Sequence, residues 1–295
     1  MLVPLLAAFA LQPSPELLRQ VFEDALAQRK SQYGESDART AQASRDLGIF
    51  LARQGDFSAR SVLAQTVGMD RKIFGAEAPR TIADIAELAA VSDAAQAEPL
   101  WLQVSKSSDP SIAARAFAAL GNLRERTGDR QNAALFHRKA LAKEEIASGK
   151  ESPRVAAKLN ALALLVSPAE GIALLDRALR ISTVRLGSRR VETASIQLNL
   201  AGILLNAGRP ARAAQLAKSA SSIFEQTLGP EHPRSLTSFL LEAHALRASG
   251  DRKAAGTAYR RLLSIEQRTL GPQNPQTLET ARILEDFLRE ATAKP

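Results

Sequence analysis

Apolar residues recur at steps of three and four along much of the chain, the spacing of helices that bury one face. Toward the C-terminal half one such set is Ala213, Leu216, Ala217, Ala220, Ile223, Phe224 and Leu228. Just before it, Val191, Ala194, Leu198, Ala201, Leu204 and Leu205 keep the same spacing. Asn206-Ala207-Gly208-Arg209-Pro210 separates the two runs. Gly208 suits the left-handed position just past a helix end, and Pro210 suits the first turn of the next helix. The pattern therefore predicts a helical hairpin.

The hairpin recurs. Leu228-Gly229-Pro230-Glu231-His232-Pro233-Arg234-Ser235-Leu236 returns 42 residues later as Leu270-Gly271-Pro272-Gln273-Asn274-Pro275-Gln276-Thr277-Leu278, and Leu186-Gly187 stands 42 residues before the first copy. Fainter copies lie at Tyr33-Gly34, Phe74-Gly75 and Ser148-Gly149. Within hairpins, Gly55-Asp56, Gly128-Asp129 and Gly250-Asp251 mark turns in which Gly closes one helix and Asp caps the next. Between hairpins, Leu-Gly-Pro ends a helix, the residue before Pro233 or Pro275 is held extended, and the proline opens the next helix. A fixed period of this kind builds a stack of units that each bury a face on the next.

The placement of small and aromatic residues around the turns carries a family resemblance. Gly121, Gly128, Ala133, His137 and Ala140 form one set, and Ala243, Gly250, Ala255 and Tyr259 another. Together with the 42-residue period and the Leu-Gly-x-x-(His/Asn)-Pro-x-(Ser/Thr)-Leu connection, they resemble tetratricopeptide repeats of the kinesin-light-chain type. The standard tetratricopeptide period is about 34 residues, so the excess adds about one turn to each helix. The resemblance implies an all-α fold, a right-handed superhelical α-α solenoid of about six tetratricopeptide-like helical hairpins with end helices. The expected array occupies residues 14–295, with a first helix over 14–33 and a capping helix over 275–292. Two stretches are expected to be irregular: 78–109, where Pro99 stands beside the lone Trp101, and 153–186, whose hairpin turn Val166-Ser167-Pro168 lacks glycine. Ala213, Ala220 and Ala255 are expected where helices approach closely.

Composition narrows the chemistry. With 45% hydrophobic residues but only 4% aromatics, burial rests on Ala, Leu, Ile and Val. The absence of Cys excludes disulfides, thiolate metal sites and a cysteine nucleophile. The three histidines, His137, His232 and His244, stand at no zinc-ligand spacing. No phosphate-binding glycine loop, Gly-x-Ser-x-Gly elbow or His-Glu-x-x-His occurs, and the glycines sit where helices end. The expectation is a non-enzymatic protein that needs no cofactor or metal. Residues 1–13 hold an apolar run with Ala8-Phe9-Ala10 in the pattern of a signal-peptidase site. They favour an exported or periplasmic location over a cytoplasmic one, the other reading being a segment that packs on the first helix. No stretch is apolar for long enough to span a bilayer.

A formal charge of +8 favours acidic partners. By the resemblance, the first helix of each hairpin lines a concave groove, and an Asn near its middle holds the backbone of an extended peptide. Asn199, nine residues before Gly208, occupies that position, with Asn206 beside it. Counting back from the other turn glycines gives Arg45 and Arg53, then Arg115, Asn122 and Arg126, then His244 and Arg247. Repeated guanidinium groups on one wall would pair with carboxylates. The reading is an interaction scaffold that binds an extended, acidic peptide or protein segment. Nucleic-acid binding is the weaker alternative, because the basic residues are dispersed and no stacking platform accompanies them. A sensor or regulatory module of a larger signalling complex is another.

Overall fold

A computed structural model describes residues 14–292, so the apolar segment 1–13 lies outside the described residues. Among the described residues fourteen helices follow one another in chain order. The first is α1 (Pro15–Tyr33). Twelve more follow in sequence: α2 (Ala38–Arg53), α3 (Ser58–Phe74), α4 (Pro79–Ala90), α5 (Ala94–Val104), α6 (Pro110–Arg126), α7 (Arg130–Ser148), α8 (Pro153–Ala163), α9 (Pro168–Arg185), α10 (Val191–Asn206), α11 (Pro210–Leu228), α12 (Pro233–Ala248) and α13 (Arg252–Thr269). The last is α14 (Pro275–Thr292). Among the described residues there is no strand.

The helices fall into two compact units, one ending at Thr127 and the other beginning at Gly128. In each, every helix packs on the next in sequence. In the first unit Phe22 of α1 meets Phe50 of α2, ring centroids 5.1 Å apart, over Leu47, Leu51 and Ala59. In the second, α14 lays Leu284 and Phe287 against Tyr259 and Ala255 of α13.

Local chemistry fixes the helix ends. Gly208 adopts φ of 72° just past α10, a conformation costly for any residue with a side chain, and Pro210 opens α11. Asp129 and Asp251 accept the amides of Asn132 and Ala254, and Asp56 that of Ser58. His232 and Asn274 take up the same task at the loop prolines: His232 Nδ1 accepts the amide of Arg234 and Asn274 Oδ1 that of Gln276. A second repeated lock was not evident from sequence. Six residues after the loop glycine, a Ser or Thr donates its hydroxyl to that glycine's carbonyl, in Thr40–Gly34, Thr81–Gly75, Thr193–Gly187 and Ser235–Gly229, at 2.7–2.8 Å.

Ala213, Ala220 and Ala255 are completely buried, so helices approach where the small residues stand. Gly171 takes this further: a Cβ there would meet the carbonyl oxygen of Ala163 at 2.6 Å, so α8 and α9 pack at a distance only glycine allows. Helices α4, α5 and α8 are the shortest, at 12, 11 and 11 residues, and Pro99 sits inside α5.

Ion pairs stitch the second helices of the Gly128–Pro295 unit. Arg138 of α7 holds Glu170 of α9 at 2.8 Å, and Arg212 of α11 holds Asp176 of α9. Alongside, Arg177 reaches Glu145 and Arg261 reaches Glu225.

Candidate functional site

The first helices of three successive hairpins, α8, α10 and α12, enclose a groove of about 450 Å³. Its position follows from α10, which buries Thr193, Ala194, Ile196, Leu200, Ala201 and Leu204 on one side. On another side Leu198, Asn199, Gly202, Ile203 and Asn206 recur at steps of three and four and line the groove. Leu164 flanks them on one side, and Thr237, Leu240, Leu241 and His244 of α12 on the other. The walls carry no formal charge apart from what His244 acquires. Gly202 forms part of the floor, and a Cβ there would meet nothing within 4 Å.

Two hydrogen bonds orient the polar groups. Asn199 Nδ2 donates to Asn160 Oδ1 at 2.9 Å, linking α10 to α8 and leaving Asn199 Oδ1 as an acceptor. On the other side, His244 Nδ1 lies 3.0 Å from the hydroxyl of Tyr259, with the rings edge to face at 5.7 Å. Burial pushes the Tyr259 phenol up from its ordinary value, so it keeps its proton. Burial first, and the Arg247 charge second, hold His244 below its ordinary pKa, so it is neutral at pH 7.

Three sequence-nominated residues, Asn199, Asn206 and His244, therefore meet on one surface. Arg247 is not part of it: its guanidinium pairs with Glu290 of α14 and lies 5.9 Å over the ring of Phe287. In the first unit the nominated residues do not converge on one cavity. Arg45 Nε sits 2.7 Å from Asp84, and Arg115 pairs with Glu87 at 2.6 Å while stacking on Trp101. Arg53, Asn122 and Arg126 are exposed and carry no ion pair or side-chain hydrogen bond. The groove leucines Leu164, Leu198, Leu240 and Leu241 were missed by sequence reasoning, which assigned apolar positions to the core. A usable signal was present in α10, which is apolar nearly all round and so cannot bury every apolar residue in its own hairpin.

A second concentration of polar groups lies inside the first unit. Asp70 of α3 and Asp84 of α4 are both fully buried, flanked by Arg45 of α2 and Arg80 of α4. Burial, reinforced by the facing Asp70, raises the Asp84 carboxyl to about 7 against the pull of the two arginines. Among the described residues no group of three or more His, Cys, Asp or Glu is placed to hold a metal ion, and no helix is long and apolar enough to cross a membrane.

Comparison with known proteins agrees with this architecture. A family model described as tetratricopeptide repeat matches residues 192–261, and a second model of the same description matches residues 116–151. Among solved structures, BtubC (BKLC) from P. vanneervenii has a TM-score of 0.58 at 20% identity, covering 85% of this chain and 92% of that one. PilF of Pseudomonas aeruginosa has a TM-score of 0.56 at 18% identity, covering 82% and 96%. At these identities the likeness is one of fold. No curated protein matches the chain in sequence.

Proposed function

The chain is a tetratricopeptide repeat protein, an interaction scaffold by its fold, and we propose that it binds an extended peptide or protein segment in the groove of α8, α10 and α12. The observation that carries this reading is the convergence of Asn199, Asn206 and His244 on one apolar surface. The amide oxygen of Asn199 is free to accept a backbone N–H, and the neutral His244 ring, engaged at Nδ1, has Nε2 left for a ligand. Between them the leucines and Ile203 suit apolar side chains. Work on such a segment needs no bond making, and the groove holds no nucleophile and base at hydrogen-bonding distance.

Acidity of the ligand is a separate part of the proposal. It rests on Arg53 and Arg126, which are exposed and unpaired, whereas Arg45, Arg115 and Arg247 already hold carboxylates of this chain. Within the first unit taken by itself, those two residues are the guanidinium groups open to a carboxylate of a partner.

The test is affinity capture from an extract of the native cell, followed by titration of the recovered partner against variants. Gly202→Leu places a side chain in the open floor of the groove and should abolish capture. Asn199→Ala removes one neutral hydrogen bond, which costs about 0.5–1.5 kcal/mol. The Arg53→Ala/Arg126→Ala double variant should weaken an acidic partner in a salt-dependent way. If Gly202→Leu captures the same partner with the same affinity, the groove is not the binding surface.

A further inference from the structure

The ladder joining the second helices has a fixed register. The residue eleven before one loop glycine faces the residue seventeen before the next, giving Arg138 with Glu170 and then Asp176 with Arg212. The sign reverses from one rung to the next, but both rungs are complete. The third is not: the corresponding residues before Gly229 and Gly271 are Lys218 and Ala254. That register sets a lysine opposite a methyl group where its neighbours meet an opposite charge, and both residues line one cleft.

At that place α11, α12 and α13 open into a cleft of about 470 Å³. Buried Phe239 lies in it with Leu246 and Ala258, and Lys218 and Lys253 line it as well. Helix α12 separates this cleft from the groove described above, turning Phe239, Glu242 and Leu246 one way and Leu240, Leu241 and His244 the other. The other charged groups of the cleft are engaged. Arg261 pairs with Glu225 and lies 4.6 Å over Phe239, Glu242 accepts the hydroxyl of Ser221, and Asp251 caps α13. Lys218 and Lys253 are exposed and hold no ion pair.

We propose that this cleft is a second docking site, for a peptide segment that supplies the missing carboxylate to Lys218 and lays a neighbouring aliphatic or aromatic side chain on Phe239 and Leu246. The partner completes the rung that Ala254 leaves open. Charge complementarity limits the partner to one carboxylate, because Glu242 and Asp251 on the same walls repel a second. The apolar floor supplies burial, and Arg261, already placed over Phe239, continues the cationic edge. A side-chain carboxylate and a chain terminus satisfy the same chemistry.

The rung can be tested without a ligand. Ala254→Glu supplies the carboxylate from within and should shift the folding equilibrium about two- to five-fold toward the folded state, the range of an exposed ion pair. The gain should shrink in a Lys218→Ala background to what a carboxylate in the first turn of α13 contributes by itself. An equal effect in both backgrounds would mean that position 254 does not face Lys218, and would overturn the proposal.

The ligand class is tested by panning a library of random linear 12-residue peptides on the full chain. Enriched peptides should carry one Asp or Glu beside an apolar residue. Lys218→Glu and Ala254→Glu should each weaken them about tenfold or more, while Gly202→Leu leaves them unchanged. Synthesis of the selected peptide with and without a free C-terminus separates the two carboxylate sources. Peptides that lack a carboxylate, that are indifferent to Lys218→Glu, or that are lost only in Gly202→Leu would overturn the second site. The last outcome would leave the α8, α10 and α12 groove standing. Absence of any enriched peptide overturns the second site as well.

Discussion

Arg45 Nε lies 2.7 Å from Asp84 Oδ1, yet its N–H is not aligned to hydrogen-bond, and the aspartate has no exposed surface at all. The pair belongs to a cluster in which two buried carboxylates, Asp70 and Asp84, share the charge of two arginines. Arg45 is thereby committed to holding α2 against α4 rather than offered to a ligand.

Stability of the first unit should depend on pH through Asp84. Its carboxyl releases a proton at about 7 in the folded protein, against the ordinary 3.8. Between those values the folded state binds more protons than the unfolded state, so this group's contribution is full below 3.8 and is lost as pH rises toward about 7. The only tryptophan, Trp101, is buried in α5 of the same unit and reports its unfolding. Urea midpoints followed by Trp101 fluorescence should fall from pH 5 to pH 8, and Asp84→Asn should flatten that slope. An unchanged slope in the variant would assign the pH dependence elsewhere.

Arg45→Ala removes one partner and leaves Asp84 buried. Breaking a buried pair whose charge persists costs about 3–5 kcal/mol, but Asp84 ionises only at about 7 and takes up a proton when Arg45 is gone, so the expected loss at pH 7 is about 1 kcal/mol or less and grows toward pH 8. The same fluorescence titration measures it. A loss of about 3 kcal/mol or more at pH 7 would show that Asp84 is already charged there.

Thr193 tests the hydroxyl lock between hairpins. Its Oγ1 donates to the Gly187 carbonyl at 2.8 Å and lies 2.7 Å from Ser182 Oγ, both hydroxyls being fully buried. Thr193→Val keeps the shape and strands both partners, so calorimetry should show a loss of about 1–3 kcal/mol. A wild-type melting profile would mean that the loop is held by its backbone alone.

Two glycines separate packing from propensity. Ala at Gly171 must push aside the Ala163 carbonyl, and overpacking of about 1–3 kcal/mol outweighs the better helix propensity. Ala at Gly202 meets open space, so it should gain up to about 1 kcal/mol. Melting temperatures that move in the same direction for both would refute the close approach of α8 and α9.

The helix ends were legible because their causes are local. Gly208, Pro210 and the aspartates of the Gly-Asp turns each act within a few residues of where they stand. The arginines were not legible in the same way: the acid that holds Arg45, Arg115 or Arg247 is 28 to 43 residues away, and only the packed helices bring it near. Asp84 carried a faint clue, standing among Thr81, Ile85 and Leu88 on the buried face of α4. The groove was half visible. Its polar residues followed from counting back from the turn glycines, but its leucines had the same spacing as core residues, and only the surplus of apolar positions in α10 hinted at them.

The alternating sign of the ladder makes the hairpins non-interchangeable. Helix α9 meets α7 with Glu170 and α11 with Asp176, acid on both sides. A tandem copy of the α8–α9 hairpin would set Asp176 of one copy against Glu170 of the next, carboxylate to carboxylate. Lengthening the array by simple duplication of that hairpin therefore meets repulsion at the new seam, and the order of the repeats is written into their outer charges as well as their cores.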